Sequence, residues 1–434
     1  MPVRLNSSAA GFEKAFLALL AAKRETSLDV NHTVAAILAD VALLGDAALL
    51  DYTARFDRLT LSPSGLAFGA AEIDAAIAAC DRAALDALEL AAARIEAYHR
   101  RQMPQDDLYT DAIGVQLGHR WTPIGAVGMY VPGGTASYPS SVLMNAIPAR
   151  VAGVPRRVMV MPTPDGNYNP LTLAAARLAG VHEIYRIGGA QAVAALAYGT
   201  ASIKAVDKIT GPGNAWVAAA KRQIFGAVGI DMIAGPSEIL VVASGANDPA
   251  WIAADLLSQA EHDISAQSIL LTDDAAFADA VVAAIAAHLQ TLPRAAMAAQ
   301  SWETNGAIIL VQNMDDAPAL IDRIAPEHLQ LAVDDPHTFM TRVRNAGAIF
   351  LGRHTPEAIG DYIAGPNHVL PTARAARYAS GLSVLDFMKR TTIIGCTPDA
   401  LAALAPAATT LAQAEGLHAH GRSITIRLNS RSKT

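Results

Sequence analysis

The feature that most constrains the fold is a repeated order of apolar strand, glycine-containing turn and helix, which begins near Trp121. The first unit runs from Ile124 to Val131, turns at Pro132-Gly133-Gly134 and continues through Val142 to Ala152. Strands in such units are usually parallel and buried on both faces. The chain is therefore predicted to be an α/β protein.

The same pattern recurs often enough to predict two Rossmann-like domains with parallel sheets. Further predicted strands are Arg157–Met161, Glu183–Ile187, Lys208–Thr210, Ile239–Val242, Ser268–Leu271, Ile308–Val311 and Ala348–Leu351. At 434 residues the chain exceeds the size that one hydrophobic core usually serves, which also favours more than one unit.

Changes in pattern along the chain give the predicted domain limits. These are 1–27 for a helical N-terminal extension, 28–125 with 238–380 for a first α/β domain, 126–237 for a second one on the dinucleotide side, and 381–434 for a small C-terminal tail domain. The tail is too short for a core of its own and is predicted to dock on a partner subunit. Within it, Ser423–Leu428 alternates polar and apolar residues, which predicts a strand.

Composition limits the classes of partner. Lys and Arg total 33 against 40 for Asp and Glu, a net charge of −7, so nucleic acid is not an expected partner. Apolar stretches are broken by charges before they reach membrane-spanning length, and Glu13 and Lys14 precede Phe16–Leu20 without a cleavage site. No membrane contact and a cytoplasmic location are expected. Cys80 and Cys396 form no metal-binding pair, so a metal must use imidazole, carboxylate or amide ligands.

Three successive glycine turns, at 133–134, 188–189 and 211–213, each precede a predicted helix. Backbone N–H groups and helix N-termini in such turns can hold a pyrophosphate. No GxGxxG motif is present, so the pattern leaves open both a dinucleotide site and an ordinary α/β domain with tight turns. Asn214, after the third turn, is also a typical helix N-cap.

Polar side chains in four short segments suit metal binding. Gln259 and His262 are three residues apart in a helix predicted from Pro249, so they share a face and can contact one ion. Asp361 and His420 would complete a nitrogen and oxygen ligand set that suits zinc. Gln-x-x-His alone is a common surface pattern, and spacing along the chain does not establish that the four converge.

An adjacent acid and imidazole, Glu327-His328, suit a reaction with two proton transfers. They follow Pro326, whose fixed φ favours the start of a helix or turn, and the alternative is a solvated helix N-terminus. His368, which follows Asn367, is either a substrate contact or a loop histidine.

Read together, these segments resemble histidinol dehydrogenase over nearly the whole chain. The motifs that carry the resemblance are Val131-Pro132-Gly133-Gly134, Gly211-Pro212-Gly213-Asn214, Asp231-Met232-Ile233-Ala234-Gly235-Pro236-Ser237-Glu238, Gln259-Ala260-Glu261-His262-Asp263, Ala325-Pro326-Glu327-His328, Gly360-Asp361-Tyr362, Gly365-Pro366-Asn367-His368-Val369-Leu370-Pro371-Thr372 and Glu415-Gly416-Leu417. No departure occurs at a position that this family uses for zinc or substrate.

The resemblance implies roles for particular residues. Zinc would be held by Gln259, His262, Asp361 and His420; these residues with Ser237, His328, His368 and Glu415 would contact substrate; and Tyr130, Gln191 and Asn214 would contact NAD. His328 would take the hydroxyl proton and Glu327 would activate water, so that one alcohol yields one carboxylate and two NADH. Glu415 and His420 would reach the neighbouring subunit's site, which implies an intertwined homodimer.

Three alternatives stay open. A family member could oxidise another metal-chelating alcohol, such as a sulfonated diol, although Glu327-His328, Glu415 and Asn367-His368 favour histidinol. A zinc hydrolase would work without NAD, but the chain has no His-Glu-x-x-His motif. A non-catalytic nucleotide-binding or assembly protein would leave the acid and base residues without a function.

Overall fold

A computed structural model describes residues 2–22, 28–133, 138–233 and 235–428. Met1 and residues 23–27 of the predicted extension, Gly134 and Ala234 of the quoted motifs, and residues 429–434 of the predicted tail lie outside these ranges. The described residues confirm an α/β fold built on two parallel sheets, each covered by helices on both faces.

The elements are numbered in chain order. The strands are β1 (Val3–Asn6), β2 (Asp107–Thr110), β3 (Val115–Pro123), β4 (Ala126–Tyr130), β5 (Arg156–Val160), β6 (Glu183–Tyr185), β7 (Lys208–Thr210), β8 (Gly229–Ile230), β9 (Glu238–Ala243), β10 (Gln267–Thr272), β11 (Ala307–Leu310), β12 (His328–Ala332), β13 (Ala348–Leu351) and β14 (Met388–Cys396). The helices are α1 (Phe12–Ala21), α2 (Leu28–Leu44), α3 (Asp46–Phe56), α4 (Ala70–Ala78), α5 (Arg82–Arg100), α6 (Pro139–Val151), α7 (Pro170–Leu178), α8 (Gly189–Tyr198), α9 (Ala215–Ile224), α10 (Pro249–Ala260), α11 (Ala275–His288), α12 (Ala295–Asn305), α13 (Ala317–Ile324), α14 (Pro336–Met340), α15 (Glu357–Tyr362), α16 (Pro398–Ala414) and α17 (His418–Leu428).

The first sheet has the order β1-β11-β10-β9-β12-β13, and all of its strands are parallel. Leu240, Leu271 and Ile309 face a layer formed by α1 and α13, whereas Val241, Leu270 and Ile308 face α10, α11 and α12. Burial on both faces accounts for the near-continuous apolar runs from which these strands were predicted.

The second sheet has the order β6-β5-β4-β7-β8, again fully parallel. Helices α4 to α7 pack on one face and α2, α3, α8 and α9 on the other. Counted from its first strand this order is 3-2-1-4-5, the order of half a dinucleotide-binding sheet. Strands β9 to β13 of the first sheet repeat the same order.

The C-terminal segment adds to an antiparallel sheet and then forms a helical hairpin. Strand β14 pairs with β3, which pairs with β2. Helices α16 and α17 pack on each other, with Gly421 buried beside Thr409 and Ala412.

The strand predicted at Ser423–Leu428 is wrong, because these residues belong to α17. Gly421, Ile424 and Leu428 are spaced by three and four, and these positions are less exposed than their neighbours. The alternation seen in the sequence is therefore also compatible with one face of a helix, and packing on α16 selects that helix.

The prediction of a helical extension over residues 1–27 is wrong at its start, and a second short strand further along the chain was not predicted. Val3–Asn6 forms β1, an edge strand paired in parallel with β11, and Asp107–Thr110 forms β2. A strand of four residues gives too short a pattern to be recognised, and it is stabilised by pairing with residues about 300 positions away.

Pro326 suggested that Glu327 and His328 begin a helix, but they do not. Helix α13 ends at Ile324, Ala325 adopts a left-handed conformation with φ of 48°, and His328 begins β12. Gln330 interrupts the apolar run of this strand, which concealed it, yet Gln330 is fully buried and donates to Asp255 Oδ2 at 2.6 Å.

The predicted domain limits stay a prediction. The chain passes from the five-stranded to the six-stranded sheet between Ile230 and Glu238, while α2 to α5 pack on the five-stranded sheet. Within the described ranges, every helix is too short or too polar to cross a bilayer.

Candidate active site

The candidate site lies where the amino edge of the six-stranded sheet meets the carboxyl edge of the five-stranded sheet. His328 is the first residue of β12, and Ser141 lies in the first turn of α6, which follows β4. The two edges are joined by a contact of 3.3 Å between Ser141 Oγ and His368 Nε2, and by a hydrogen bond of 2.6 Å from Asn367 Nδ2 to the Met144 carbonyl.

His328 is arranged as a neutral base. Its Nδ1 lies 2.9 Å from the carbonyl oxygen of Glu238, so this nitrogen carries the proton and donates it. Nε2 is then the atom with the free lone pair, and it is buried without a hydrogen-bond partner in the described structure. Burial also lowers the pKa of His328 below its ordinary value, while the charge of Asp361 opposes that shift. A neutral imidazole follows at neutral pH.

Glu327 is held beside the base by the neighbouring strand. Its Oε2 accepts the backbone N–H of Glu238 at 2.8 Å and lies 3.6 Å from His328 Nδ1. Only 5% of Glu327 is exposed, and this burial raises the pKa of its carboxyl group well above the ordinary value. A carboxylate with a raised pKa is a stronger base than an ordinary exposed one.

Two further carboxyl groups face His328 from α15. Glu357 Oε1 lies 3.6 Å from His328 Nε2 and Asp361 Oδ1 lies 4.0 Å from it. Glu357 is 1% exposed, and its Oε2 accepts a hydrogen bond of 3.2 Å from Ser258 Oγ. Burial and the nearby charge of Glu357 raise the pKa of Asp361 to about 6. One possible metal-ligand atom from each of His328, Glu357 and Asp361 lies within 4.8 Å of the other two, close enough to share an ion.

Helix α10 brings Gln259 and His262 to the same region. Gln259 lies in its last turn and is fully buried. The helix ends at Ala260, two residues earlier than predicted for His262, which lies in the following turn with its backbone N–H on the Gln259 carbonyl at 3.2 Å. The charge of His262 contributes to the pKa of both His328 and Asp361, so this imidazole is near them.

His368 is fixed by both of its ring nitrogens. Nδ1 lies 2.9 Å from the carbonyl oxygen of Asp361, and Nε2 faces Ser141 Oγ. Burial lowers its pKa. With His328 and Asp361 it lines a cavity of about 530 Å³. Ser237, immediately before β9, is half-buried at this edge of the sheet.

The residues predicted to contact NAD lie together at the carboxyl edge of the five-stranded sheet. Tyr130 ends β4, and its hydroxyl accepts the backbone N–H of Gly189 at 3.1 Å. Gln191, in α8, is 1% exposed with its Oε1 unpartnered. Asn214 caps α9, accepting two backbone N–H groups with Oδ1, so its amide Nδ2 is the atom that can donate to a ligand. A Cβ at Gly211 would lie 2.1 Å from the Tyr130 carbonyl oxygen, so this turn requires glycine.

Comparisons with known proteins agree with this arrangement. The family model for histidinol dehydrogenase matches residues 20–428. The chain is 66% identical to the histidinol dehydrogenases of Rhodospirillum rubrum, over 99% of both chains, and of Bradyrhizobium diazoefficiens, over 99% of this chain and all of that one. The crystal structure of histidinol dehydrogenase from Elizabethkingia anophelis superposes with a TM-score of 0.95 at 35% identity, over 100% of this chain and 99% of that one.

The chain belongs to the histidinol dehydrogenase family. It is therefore an oxidoreductase, and the resemblance read from its motifs is confirmed. Membership agrees with the two sheets of dinucleotide-binding order and with a neutral base at their junction.

The metal that this family resemblance implies is compatible with the residues present. Both amide atoms of Gln259 are buried without a hydrogen-bond partner among the described residues, a costly state unless the side chain binds something. His262 and Asp361 supply the imidazole and carboxylate that suit zinc. The structural cluster of His328, Glu357 and Asp361 shares only Asp361 with the predicted zinc ligands.

Two predicted site residues are not brought to this cluster within one chain. Glu415 and His420 are exposed on the hairpin of α16 and α17. In the described part of the chain, the polar contacts of His328, Asp361 and His368 do not include either of them. Their role in a partner's site stays a prediction.

Sequence reasoning missed Glu357. Its signal was available, because Glu357 and Asp361 are four residues apart and therefore share one face of a helix. The sequence gives no indication of its burial against Ser258, which depends on α10 and α15 meeting.

Proposed function

We propose that the chain oxidises L-histidinol to L-histidine through a bound histidinal intermediate, the last two steps of histidine biosynthesis, with zinc and NAD. The single observation that carries the proposal is the buried, unpartnered Nε2 of His328, held in its basic tautomer beside buried carboxyl groups. Family membership supports the substrate, and the two sheet edges that meet at His328 support a dinucleotide neighbour. A cytoplasmic location is part of the same proposal.

In the first oxidation His328 Nε2 takes the hydroxyl proton of the substrate. The Nδ1–H bond to the Glu238 carbonyl keeps the lone pair on Nε2, and the resulting imidazolium is stabilised by Glu357 and Asp361 within 4.0 Å. When bound, zinc would orient the amino alcohol and NAD would accept the hydride that leaves its carbon.

In the second oxidation Glu327 activates the water that adds to the aldehyde. The carboxyl group is buried and accepts the backbone N–H of Glu238. It lies beside Nδ1 of His328, whereas the proposed base is Nε2 of the same ring. Glu327 and His328 Nε2 can therefore accept protons at different positions, as two sequential proton transfers require. His328 Nε2 takes a hydroxyl proton of the hydrated aldehyde, and a second NAD would accept the hydride, which gives the carboxylate and a total of two NADH for each histidinol.

Zinc binding is assigned to Gln259, His262 and Asp361, with His420 of a second copy as the fourth ligand. The hairpin of α16 and α17 supports a homodimer, because Leu411 and Ile426 expose 64% and 57% of their surface there. Large exposed apolar residues of this kind favour a protein contact. Glu415, at the end of α16, would enter the partner's site together with His420.

The first test is the stoichiometry of NADH. Purified, zinc-loaded protein is mixed with excess NAD and limiting L-histidinol, and NADH absorbance is followed to completion. Two NADH per histidinol are expected. One NADH per histidinol would refute a four-electron reaction. No NADH would refute histidinol as the substrate and favour another chelating alcohol, such as a sulfonated diol.

The zinc assignment is tested by metal affinity. Gln259→Ala should weaken zinc binding, measured by competition with a chromogenic chelator, whereas the exposed Gln290→Ala should leave it unchanged. Equal zinc affinities would remove Gln259 from the ligand set.

A further inference from the structure

The strand order of the five-stranded sheet identifies where an acidic group belongs. In dinucleotide-binding sheets of order 3-2-1-4-5, an Asp or Glu about 20 residues beyond the glycine-rich turn binds the 2′-hydroxyl of the adenosine ribose, beside the second strand. Here the second strand is β5, which ends at Val160. Met161, Pro162 and Thr163 follow it without an acid. The first acid after β5 is Asp165, but its carboxylate is exposed and paired with Arg58.

Asp57 reaches this position from a different part of the chain. It caps the C-terminus of α3, and its carbonyl oxygen accepts the backbone N–H of Asp165 at 2.8 Å. This bond fixes Asp57 against the loop that follows β5. Arg58, with φ of 51°, pairs with Asp165, and its hydrogen bonds leave the Asp57 carboxyl group unused.

One carboxyl oxygen of Asp57 is buried without a partner among the described residues. Asp57 is 7% exposed, and Oδ2 is fully buried with no hydrogen bond to any described residue. Burial raises its pKa to about 6, opposed only by the charge of Arg58. A carboxylate in this state costs free energy unless something binds it, and a purely structural role would have provided a donor.

Other polar groups lie at the same carboxyl edge of the five-stranded sheet. The charge of Asp57 contributes to raising the pKa of Tyr130, whose hydroxyl is bound to the N–H of Gly189 at the start of α8. Gln191 Oε1, in the same helix, and Thr163 Oγ1, after β5, are buried without partners. Acceptors and hydroxyl groups of this kind suit a vicinal diol, each of whose hydroxyls donates one hydrogen bond.

We propose that Asp57 binds the adenosine ribose hydroxyls of the dinucleotide and selects NAD over its 2′-phosphorylated form. This rests on the proposed use of NAD at this sheet edge. The acid that other sheets of this order place after the second strand is supplied here by the end of α3. A phosphate on the 2′-oxygen would meet a carboxylate instead of a cation, and like charges at contact are repelled.

Binding of nucleotide fragments, without substrate or zinc, tests this directly. The probes are ADP-ribose and its analogue lacking the 2′-hydroxyl of the adenosine ribose, titrated calorimetrically into wild type and Asp57→Asn. Wild type should bind ADP-ribose about tenfold or more tightly than the analogue, the range for a hydrogen bond to a charged group. In Asp57→Asn the two probes should bind nearly alike, at the affinity that wild type has for the analogue.

The matched control is Asp165→Asn, a neighbouring exposed carboxylate outside the proposed contact. It should retain the wild-type preference. The difference in affinity between ADP-ribose and 2′-phospho-ADP-ribose should become smaller in Asp57→Asn, but not in Asp165→Asn. An unchanged preference in Asp57→Asn, or none in wild type, would overturn the assignment; the second comparison needs no variant and so does not depend on the folding of one.

The same titration separates this inference from the proposed function. If wild type binds ADP-ribose but oxidises no histidinol, the proposed function fails, and the role of Asp57 is still decided by the preference for ADP-ribose over its analogue. Wild type that neither binds ADP-ribose nor reduces NAD would refute dinucleotide binding itself, and the role of Asp57 with it.

Discussion

Replacing His328 with Asn tests the assignment of the base most directly. An asparagine amide is smaller than imidazole and can still donate a hydrogen bond toward the Glu238 carbonyl, but it has no basic nitrogen in place of Nε2. The whole contribution of a positioned base is therefore lost, about 10²–10⁴-fold in rate. At 1.36 kcal/mol for each factor of ten this is about 3–5 kcal/mol of barrier. Both oxidations should fall together, because His328 Nε2 takes the hydroxyl proton of the alcohol in the first oxidation and that of the hydrated aldehyde in the second.

The assay is single-turnover NADH formation from histidinol and from histidinal, with zinc content measured on the same samples. His337→Asn, an exposed histidine in the first turn of α14, is the matched control and should be unaffected. The wild-type rate should decline as pH falls through a pKa below 6.5, because burial lowers the pKa of His328 and the base must be neutral. A folded, zinc-containing His328→Asn protein that oxidises histidinol at nearly the wild-type rate would refute the role of base.

Three further outcomes are expected. Glu327→Gln should slow histidinal oxidation more than histidinol oxidation in single turnovers, and equal slowing would argue against water activation. Gly211→Ala should lower the free energy of unfolding by about 3 kcal/mol or more, because φ is positive there and a Cβ would lie 2.1 Å from a carbonyl oxygen. The control Gly226→Ala, with a similar φ of 108° but open space, should lower it by about 1 kcal/mol. Equal losses in denaturant titrations would show that the close contact at Gly211 does not affect stability. Burial raises the pKa of Asp255 from 3.8 to about 6, so its contribution to stability is present below the first value and lost as pH rises through the second. Asp255→Asn should therefore stabilise the protein by about 2 kcal/mol near pH 7 and little near pH 4, and a pH-independent difference in unfolding free energy would contradict this.

The sequence predicted the parallel strands well because their burial on both faces is written in continuous apolar runs. Ala348–Leu351 was predicted with the limits that the structure has, and Lys208–Thr210 likewise. Local pattern failed where pairing between distant segments decides the structure. Val3–Asn6 is a strand only because β11 offers an edge, and the last helix exists because Gly421 lets it approach α16.

At the candidate site, residue types were easier to predict than environments. Gln259 and His328 were identified from their motifs, but the lone pair of Nε2 depends on the Glu238 carbonyl, which only the pairing of β9 and β12 places there. Glu357 and Asp57 were missed because an Asp or Glu near a helix end is usually solvated. Burial of both results from elements far apart in sequence.

The proposed base, His328, lies in an interior strand of the six-stranded sheet and not in a loop. His328 pairs with Ile239 of β9 on one side and Ala348 of the edge strand β13 on the other, so its backbone cannot shift without breaking the pairing of β12 with both neighbours. Amide hydrogens of β12 should exchange with solvent only when the whole domain unfolds, whereas those of the turns at Gly133 and Gly211 exchange through local opening. Any approach between the two sheet edges must then come from the turns and helices around β12, because the strand that carries His328 is held by pairing on both sides.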